Sequence, residues 1–89
     1  ELELAATLFD PESGRGLHLY TTEPGLQFYT GNFLDGVIGR GAVKYDKNFG
    51  LCLEPTGYPD APNQKSFPST ILMPGHIYRQ TSVFKFFVD

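Results

Sequence analysis

The opening eight residues alternate with period two: Leu2, Leu4, Ala6 and Leu8 interleave with Glu1, Glu3, Ala5 and Thr7. This is the pattern of a strand with one buried face. It runs straight into Asp10-Pro11-Glu12-Ser13-Gly14-Arg15, where Pro presets φ and Gly permits positive φ, so the chain must turn. Gly16 to Thr22 then reads as the return strand of a hairpin, with Leu17 and Leu19 on one face and His18 and Tyr20 on the other. The turn Glu23-Pro24-Gly25 and a third strand, Leu26 to Thr30, follow.

Punctuation of this kind continues to the end of the chain. Gly31 to Gly50 loses alternation and is read as an extended surface excursion. Leu51 to Glu54 is expected to be a short buried strand, with Pro55 stopping its ladder. The proline- and amide-rich stretch Thr56 to Pro68 is long enough that a functional loop is expected. Ser69 to Met73 reads as a short strand, Pro74-Gly75 as a turn and His76 to Val88 as the longest strand. Within that last strand Tyr78, Phe84, Phe86 and Val88 share one parity, and Phe87 breaks the pattern, so its far end is expected to be covered on both faces.

With ten Gly, seven Pro, eight Phe and five Tyr in 89 residues, and no helical period, the expected fold class is all-β, an antiparallel β-sandwich or part of one. Residues 1–89 are read as a single segment, because a chain of this length supports one small core at most. The chain opens at Glu1, without Met, already in strand pattern, so it is expected to be a fragment or one product of a cleaved longer polypeptide.

A formal charge of −3, with seven basic and ten acidic residues scattered along the chain, provides no basic stripe for a phosphate backbone. No apolar run approaches the ~20 residues that span a bilayer, and no secretion signal is present. Neither a nucleic acid nor a membrane is expected as a partner. The single cysteine, Cys52, cannot form an internal disulfide and fits a reducing compartment, the cytoplasm.

Few residues carry candidate chemistry. His18, His76 and Cys52 lack the paired short spacing of zinc sites and read as structural. Gly39-Arg40-Gly41 lacks the rest of a phosphate-cradling fingerprint, and neither Ser69 nor Ser82 sits in a nucleophile elbow. Glu54 stands apart. Glutamate is depleted from strands and almost never buried unpaired, yet here it ends the apolar run Leu51-Cys52-Leu53. Its face is shared with Cys52, so it either meets water or faces a cleft. Gln27, flanked by large side chains on the third strand, is likewise either an outward polar residue or a ligand contact.

Taken in order, Tyr20 to Gly36 with its Pro24-Gly25-Leu26-Gln27-Phe28-Tyr29-Thr30-Gly31-Asn32 core, Gly50-Leu51-Cys52-Leu53-Glu54, Pro59-Asp60-Ala61-Pro62-Asn63-Gln64 with Phe67-Pro68-Ser69, and Met73-Pro74-Gly75 followed by Tyr78 to Phe86 resemble the C-terminal part of the aldose 1-epimerases, the galactose mutarotases. The resemblance covers nearly the whole chain. It implies the closing strands of a large antiparallel β-supersandwich and interconversion of the α and β anomers of a free hexose such as galactose or glucose, without metal or organic cofactor. It maps the general base onto Glu54 and a sugar contact onto Gln27. The general-acid histidine and further sugar ligands would lie upstream, and His18 and His76 do not match them.

Two departures stand out. Pro55 and Thr56 replace the family's usual Thr-Gln after the base, and Lys47-Asn48-Phe49-Gly50 replaces its common Lys-His-Ser-Gly. A non-catalytic carbohydrate-binding or interaction module on the same scaffold is therefore the alternative reading. An epimerase of phosphorylated hexoses is a further one, disfavoured because no Arg or Lys cluster is present. Phe28 and Tyr29 are expected to wall the cleft. The partners expected are the monosaccharide and the remaining strands of the fold.

Overall fold

The computed structural model describes all residues from Glu1 to Asp89. Seven strands make up its regular structure: β1 (Glu3–Phe9), β2 (Arg15–Thr21), β3 (Gly25–Tyr29), β4 (Val37–Ile38), β5 (Lys44–Tyr45), β6 (Cys52–Thr56) and β7 (Ser82–Val88). The only helical pieces are single 3-10 turns at Arg40–Ala42 and Ala61–Asn63, so the all-β, antiparallel expectation holds. The strands form a three-stranded sheet in the order β1-β2-β7, the pair β3-β6 and the short pair β4-β5.

The first hairpin forms where the turn chemistry demands it. The Asp10 carboxylate accepts hydrogen bonds from the Ser13 hydroxyl at 2.7 Å and from the backbone N–H groups of Glu12 and Ser13, while Gly14 takes a φ of 77° that few other residues tolerate. The Gly14 carbonyl then accepts from the Asp89 N–H, tying the end of β7 to the turn.

The strict alternation of β1 does not survive into three dimensions. A β-bulge between Leu4 and Ala6 places Leu4 opposite Tyr20 and Ala6 opposite Leu19, so the extra residue Ala5 flips the parity. Ala6 and Leu8 lie on the face of Leu17, Leu19, Phe84 and Phe86, whereas Leu4 shares the other face with Thr7, Phe9, His18, Tyr20 and Phe87. Phe87 stacks on His18 at 4.7 Å and on Phe9 at 6.2 Å, and its ring lies across Gly16, where any Cβ would collide with it. The apparent break in the β7 pattern is thus an aromatic cluster on the second face. Leu19, at 0% exposure, is the one large side chain fully enclosed.

Two expected strands shrink. Residues 69–73 form no strand, and β7 starts at Ser82 instead of His76. The physical reason is the lack of a ladder partner. β2 ends at Thr21, and beyond it a single backbone bond, from the Thr22 N–H to the Thr81 carbonyl, continues the ladder. The Pro74-Gly75 turn does form, with His76 N–H donating to the Met73 carbonyl and Gly75 at φ 86°.

The sheets leave apolar faces open. Phe86 is 74% exposed, Val88 78% and Phe84 48%, all on or beside the face that encloses Leu19. The accessible surface is 7288 Å² for 9.9 kDa, against roughly 5,200 Å² for a compact monomer of that mass. The radius of gyration, 16.7 Å, likewise exceeds the ~12 Å of a compact chain of this length.

The hydrogen bonds to Asp10, that from Ser13 first and that from Glu12 next, hold its carboxyl below its ordinary value of 3.8. The ionised carboxylate is the form the turn holds, so its contribution is complete above the unfolded-chain value and drains away as pH falls through the lower folded one. A carboxyl-detected NMR titration is expected to give an Asp10 midpoint below 3.8 that moves up toward the ordinary value in Ser13→Ala, which removes the largest of the lowering contacts.

Candidate active site

Gly25 to Tyr29 has the composition of a strand, two aromatics and one Leu around one amide, and it pairs antiparallel with β6. The register is Gly25 with Thr56, Leu26 with Pro55, Gln27 with Glu54, Phe28 with Leu53 and Tyr29 with Cys52. Directly opposite residues share a face, so the pair is amphipathic. Leu26, Phe28, Leu53 and Pro55 take one side. Gln27, Glu54, Tyr29, Cys52 and Thr56 take the other.

The two residues singled out in the sequence are thus cross-strand partners. Side chains directly opposite in an antiparallel pair have Cβ atoms about 4.5–5.5 Å apart, within reach of one small ligand. Both side chains are exposed. A carboxylate acceptor beside an amide that both donates and accepts can bind a polyol and accept a proton from it.

Three sequence expectations about this pair need correction. β6 is not buried, since Leu51, Cys52 and Glu54 are all exposed, because no other strand of this chain lies over it. Pro55 does not stop the ladder, which runs on to Thr56 opposite Gly25. Pro lacks only its N–H, and β6 has a partner on one side alone, so the missing donor can face the open edge. Phe28 does not wall the cleft, because it projects from the face opposite to Gln27 and is 60% exposed there. Tyr29 is on the correct face, and its hydroxyl accepts the Phe33 N–H at 3.0 Å while its ring stacks on Phe33 at 6.4 Å.

The register depends on how the excursion between the two strands closes. Asn48 sits at φ 65°, a left-handed conformation that Asn tolerates better than most residues, and its side-chain N–H group donates to the Thr30 carbonyl at 2.7 Å and to the Asn32 amide oxygen at 3.0 Å. Its backbone N–H donates to the Gly31 carbonyl. Gly31, at φ 75°, lies so close to Gly50 that a Cβ would stand 2.8 Å from the Gly50 carbonyl oxygen. Inside the excursion β4 and β5 pair around the Arg40–Ala42 turn, and the Asp46 carboxylate accepts from the Gly36 N–H at 2.9 Å. The expected surface loop is therefore an ordered appendage whose two ends are joined just past the Tyr29–Cys52 end of the strand pair. Sequence reading missed Asn48 as the clasp; an Asn between Lys47 and Phe49 in a glycine-rich stretch was the available signal.

Beyond Thr56 the loop is self-bonded. Asp60, at φ 62°, accepts from Asn63 Nδ2 at 2.6 Å and from Gln64 Nε2 at 3.0 Å, which lowers its carboxyl from the ordinary 3.8, with the Gln64 bond the larger cause. Both amides are thereby committed to the loop. Tyr58 meets Phe67 edge-on at 5.1 Å, and a hollow of about 300 Å³ opens between Gly25, Gln27, Thr56, Tyr58 and Pro59. A second hollow of about 430 Å³, between Pro24, Gly57 and Ser69–Leu72, contains Glu23, but that carboxylate accepts the Tyr78 hydroxyl hydrogen bond.

The histidines are remote from this chemistry. His18 Nδ1 is 2.9 Å from Thr7 Oγ1 on the β1-β2-β7 sheet, under Phe87, and His76 is exposed in the turn after Met73. No group of three His, Cys, Asp or Glu side chains is placed to hold a metal ion.

Removing the clasp should loosen the site selectively. Asn48→Ala is expected to cost about 1–2 kcal/mol, from two lost hydrogen bonds and a less favourable left-handed residue. Hydrogen exchange should accelerate across β3 and β6 and stay unchanged across β2.

Residues 1–85 match the family model described as aldose 1-epimerase. The chain is 49% identical over 89 residues to the galactose mutarotases of Homo sapiens and Mus musculus, covering 99% of this chain and 26% of each relative. It is 37% identical over 89 residues to the aldose 1-epimerase of Escherichia coli (strain K12), covering 98% of this chain and 26% of that relative. The chain thus spans about a quarter of the length of the curated relatives it matches. Carrying Gln27 and Glu54 side by side on one strand pair, this chain belongs to the aldose 1-epimerase family.

Proposed function

We propose that this chain contributes the base and a sugar-binding amide to an aldose 1-epimerase that interconverts the anomers of a free hexose such as galactose or glucose. The observation that carries the reading is the pairing of Gln27 with Glu54 on the open face of β3-β6. The galactose mutarotase and aldose 1-epimerase names of the relatives supply the reaction.

Anomerisation removes the proton from the anomeric hydroxyl while the ring oxygen gains one. The C1–O5 bond breaks, C1–C2 rotates in the open aldehyde, and the 5-hydroxyl re-adds to the other face of C1 as the protons return. A base and an acid are both required. Glu54 takes the anomeric proton, and Gln27 orients a hydroxyl of the same sugar through its donor and acceptor atoms. An uncharged amide cannot protonate the ring oxygen, and His18 is engaged by Thr7 and Phe87 on another sheet. The acid is assigned to polypeptide outside these residues, as the resemblance to the family implies. This reading needs no metal or organic cofactor.

Residues 1–89 form the C-terminal segment of a larger antiparallel sandwich in this proposal. The bare side chains of Phe84, Phe86 and Val88 and an excess accessible surface of about 2,100 Å², the size of an obligate interface, support it. A two-stranded pair such as β3-β6 is marginal by itself, which also argues for further strands beside it. A cytoplasmic setting is favoured by the free, exposed Cys52. No helix is long and apolar enough to cross a membrane. The non-catalytic alternative drew its support from Pro55 and Thr56, and the unbroken ladder through both residues weakens it.

In the protein that carries this chain with its remaining strands, Glu54→Gln is expected to lower kcat for mutarotation ~10²- to 10⁴-fold by polarimetry. Activity near the unmodified rate would contradict the assignment. Gln27→Ala is expected to raise KM roughly 3- to 10-fold, the loss of one or two neutral hydrogen bonds.

A further inference from the structure

From the packing of Gly25 we infer that Tyr58 is the aromatic platform of the sugar site, a binding residue whose ring carries the apolar face of the hexose beside Gln27 and Glu54. This rests on the function proposed above and assigns a residue to that site.

Gly25 and Gln27 are two apart on β3, so their side-chain directions share a face. A Cβ built on Gly25 would stand 3.1 Å from Tyr58 Cδ1 and 3.1 Å from the Thr56 carbonyl oxygen. The Tyr58 ring therefore lies against the place where a β3 side chain would otherwise project, on the face of Gln27 and Glu54. The φ of Gly25 is not positive, so close approach, and not a special backbone conformation, is what glycine provides here. Gly25, against which the ring lies, is about 7 Å along the strand from the Gln27–Glu54 pair, two residues of strand rise, a span that one pyranose ring bridges.

The placement is fixed from both sides. Gly25 lies against the ring at Cδ1, and Phe67 meets it edge-on at 5.1 Å with an interplanar angle of 64°. Tyr58 also lines the hollow of about 300 Å³ shared with Gln27 and Thr56, and it remains 38% exposed, so part of the ring is free to receive a ligand. Hexoses combine a polar rim with a patch of C–H groups, and sites that bind them need hydrogen-bonding groups beside an apolar wall. Gln27 and Glu54 supply the first. Tyr58 supplies the second. The ring, not the hydroxyl, is the part used.

The test uses the complete protein, with galactose as substrate and 1,5-anhydrogalactitol, which lacks the anomeric hydroxyl, as a non-reacting probe. Tyr58→Leu is expected to raise KM and the inhibition constant of the probe about tenfold with kcat changed less than about twofold, while Tyr58→Phe restores both. In the unmodified protein, C–H protons of the saturating probe are expected to give nuclear Overhauser contacts to the Tyr58 ring, assigned by their loss in Tyr58→Phe spectra with labelled tyrosine. This second measurement holds whether or not the leucine protein folds and whether or not the protein turns sugar over. An unchanged KM in Tyr58→Leu, or no contact at saturation, overturns the platform. A protein that binds the probe on Tyr58 but does not mutarotate galactose overturns only the proposed reaction.

Discussion

The register of β3 against β6 is the constraint on which the proposed chemistry depends. A slip of one residue would send either Gln27 or Glu54 to the apolar side with Phe28 and Leu53, and no site would remain. Two short strands cannot hold a register by ladder bonds alone. The hold comes from the closure at Gly31 and Asn48, where a left-handed glycine, a left-handed asparagine and the asparagine side chain join the ends of the excursion. The long segment between the strands thus acts as a clasp, and the departure of Lys47-Asn48-Phe49-Gly50 from the family's usual sequence falls on a residue that serves this closure.

Packing and function separate across the chain. The β1-β2-β7 sheet encloses Leu19 and builds an aromatic cluster from Phe9, His18 and Phe87, but Phe84, Phe86 and Val88 on the Leu19 face lie bare. The β3-β6 pair likewise leaves Phe28 bare on its apolar face, beside the half-buried Leu26 and Leu53. Apolar faces of this extent are expensive in water, and their alternation with polar faces specifies which side other strands must cover. The same alternation puts Gln27 and Glu54 together on the opposite face, where the proposed ligand would sit.

Much of this was legible in the residues. The hairpin and β3 follow from period-two patterning and turn chemistry, and Gln27 and Glu54 stand out as polar side chains within apolar strand runs, although β6 runs two residues past Glu54. What escaped has particular causes. Ala5 and Ala6 are both small and apolar, so a bulge between them leaves no trace in the alternation. Residues 69–81 have strand-like composition, but a strand exists only where a partner offers hydrogen bonds, which composition does not report. Phe28 was placed beside the cleft by sequence adjacency, whereas neighbouring residues on a strand face opposite ways. Tyr58 was invisible because Gly25 looks like turn punctuation until the ring that lies against its side-chain position is seen.

A crystal structure of the complete protein with galactose tests the central claim most directly. The account predicts a Glu54 carboxylate oxygen within about 2.6–3.2 Å of the anomeric oxygen, with the Gln27 amide on another hydroxyl of the same sugar. A sugar seated elsewhere, or one whose anomeric oxygen is held by other groups while Glu54 points into solvent, would contradict it.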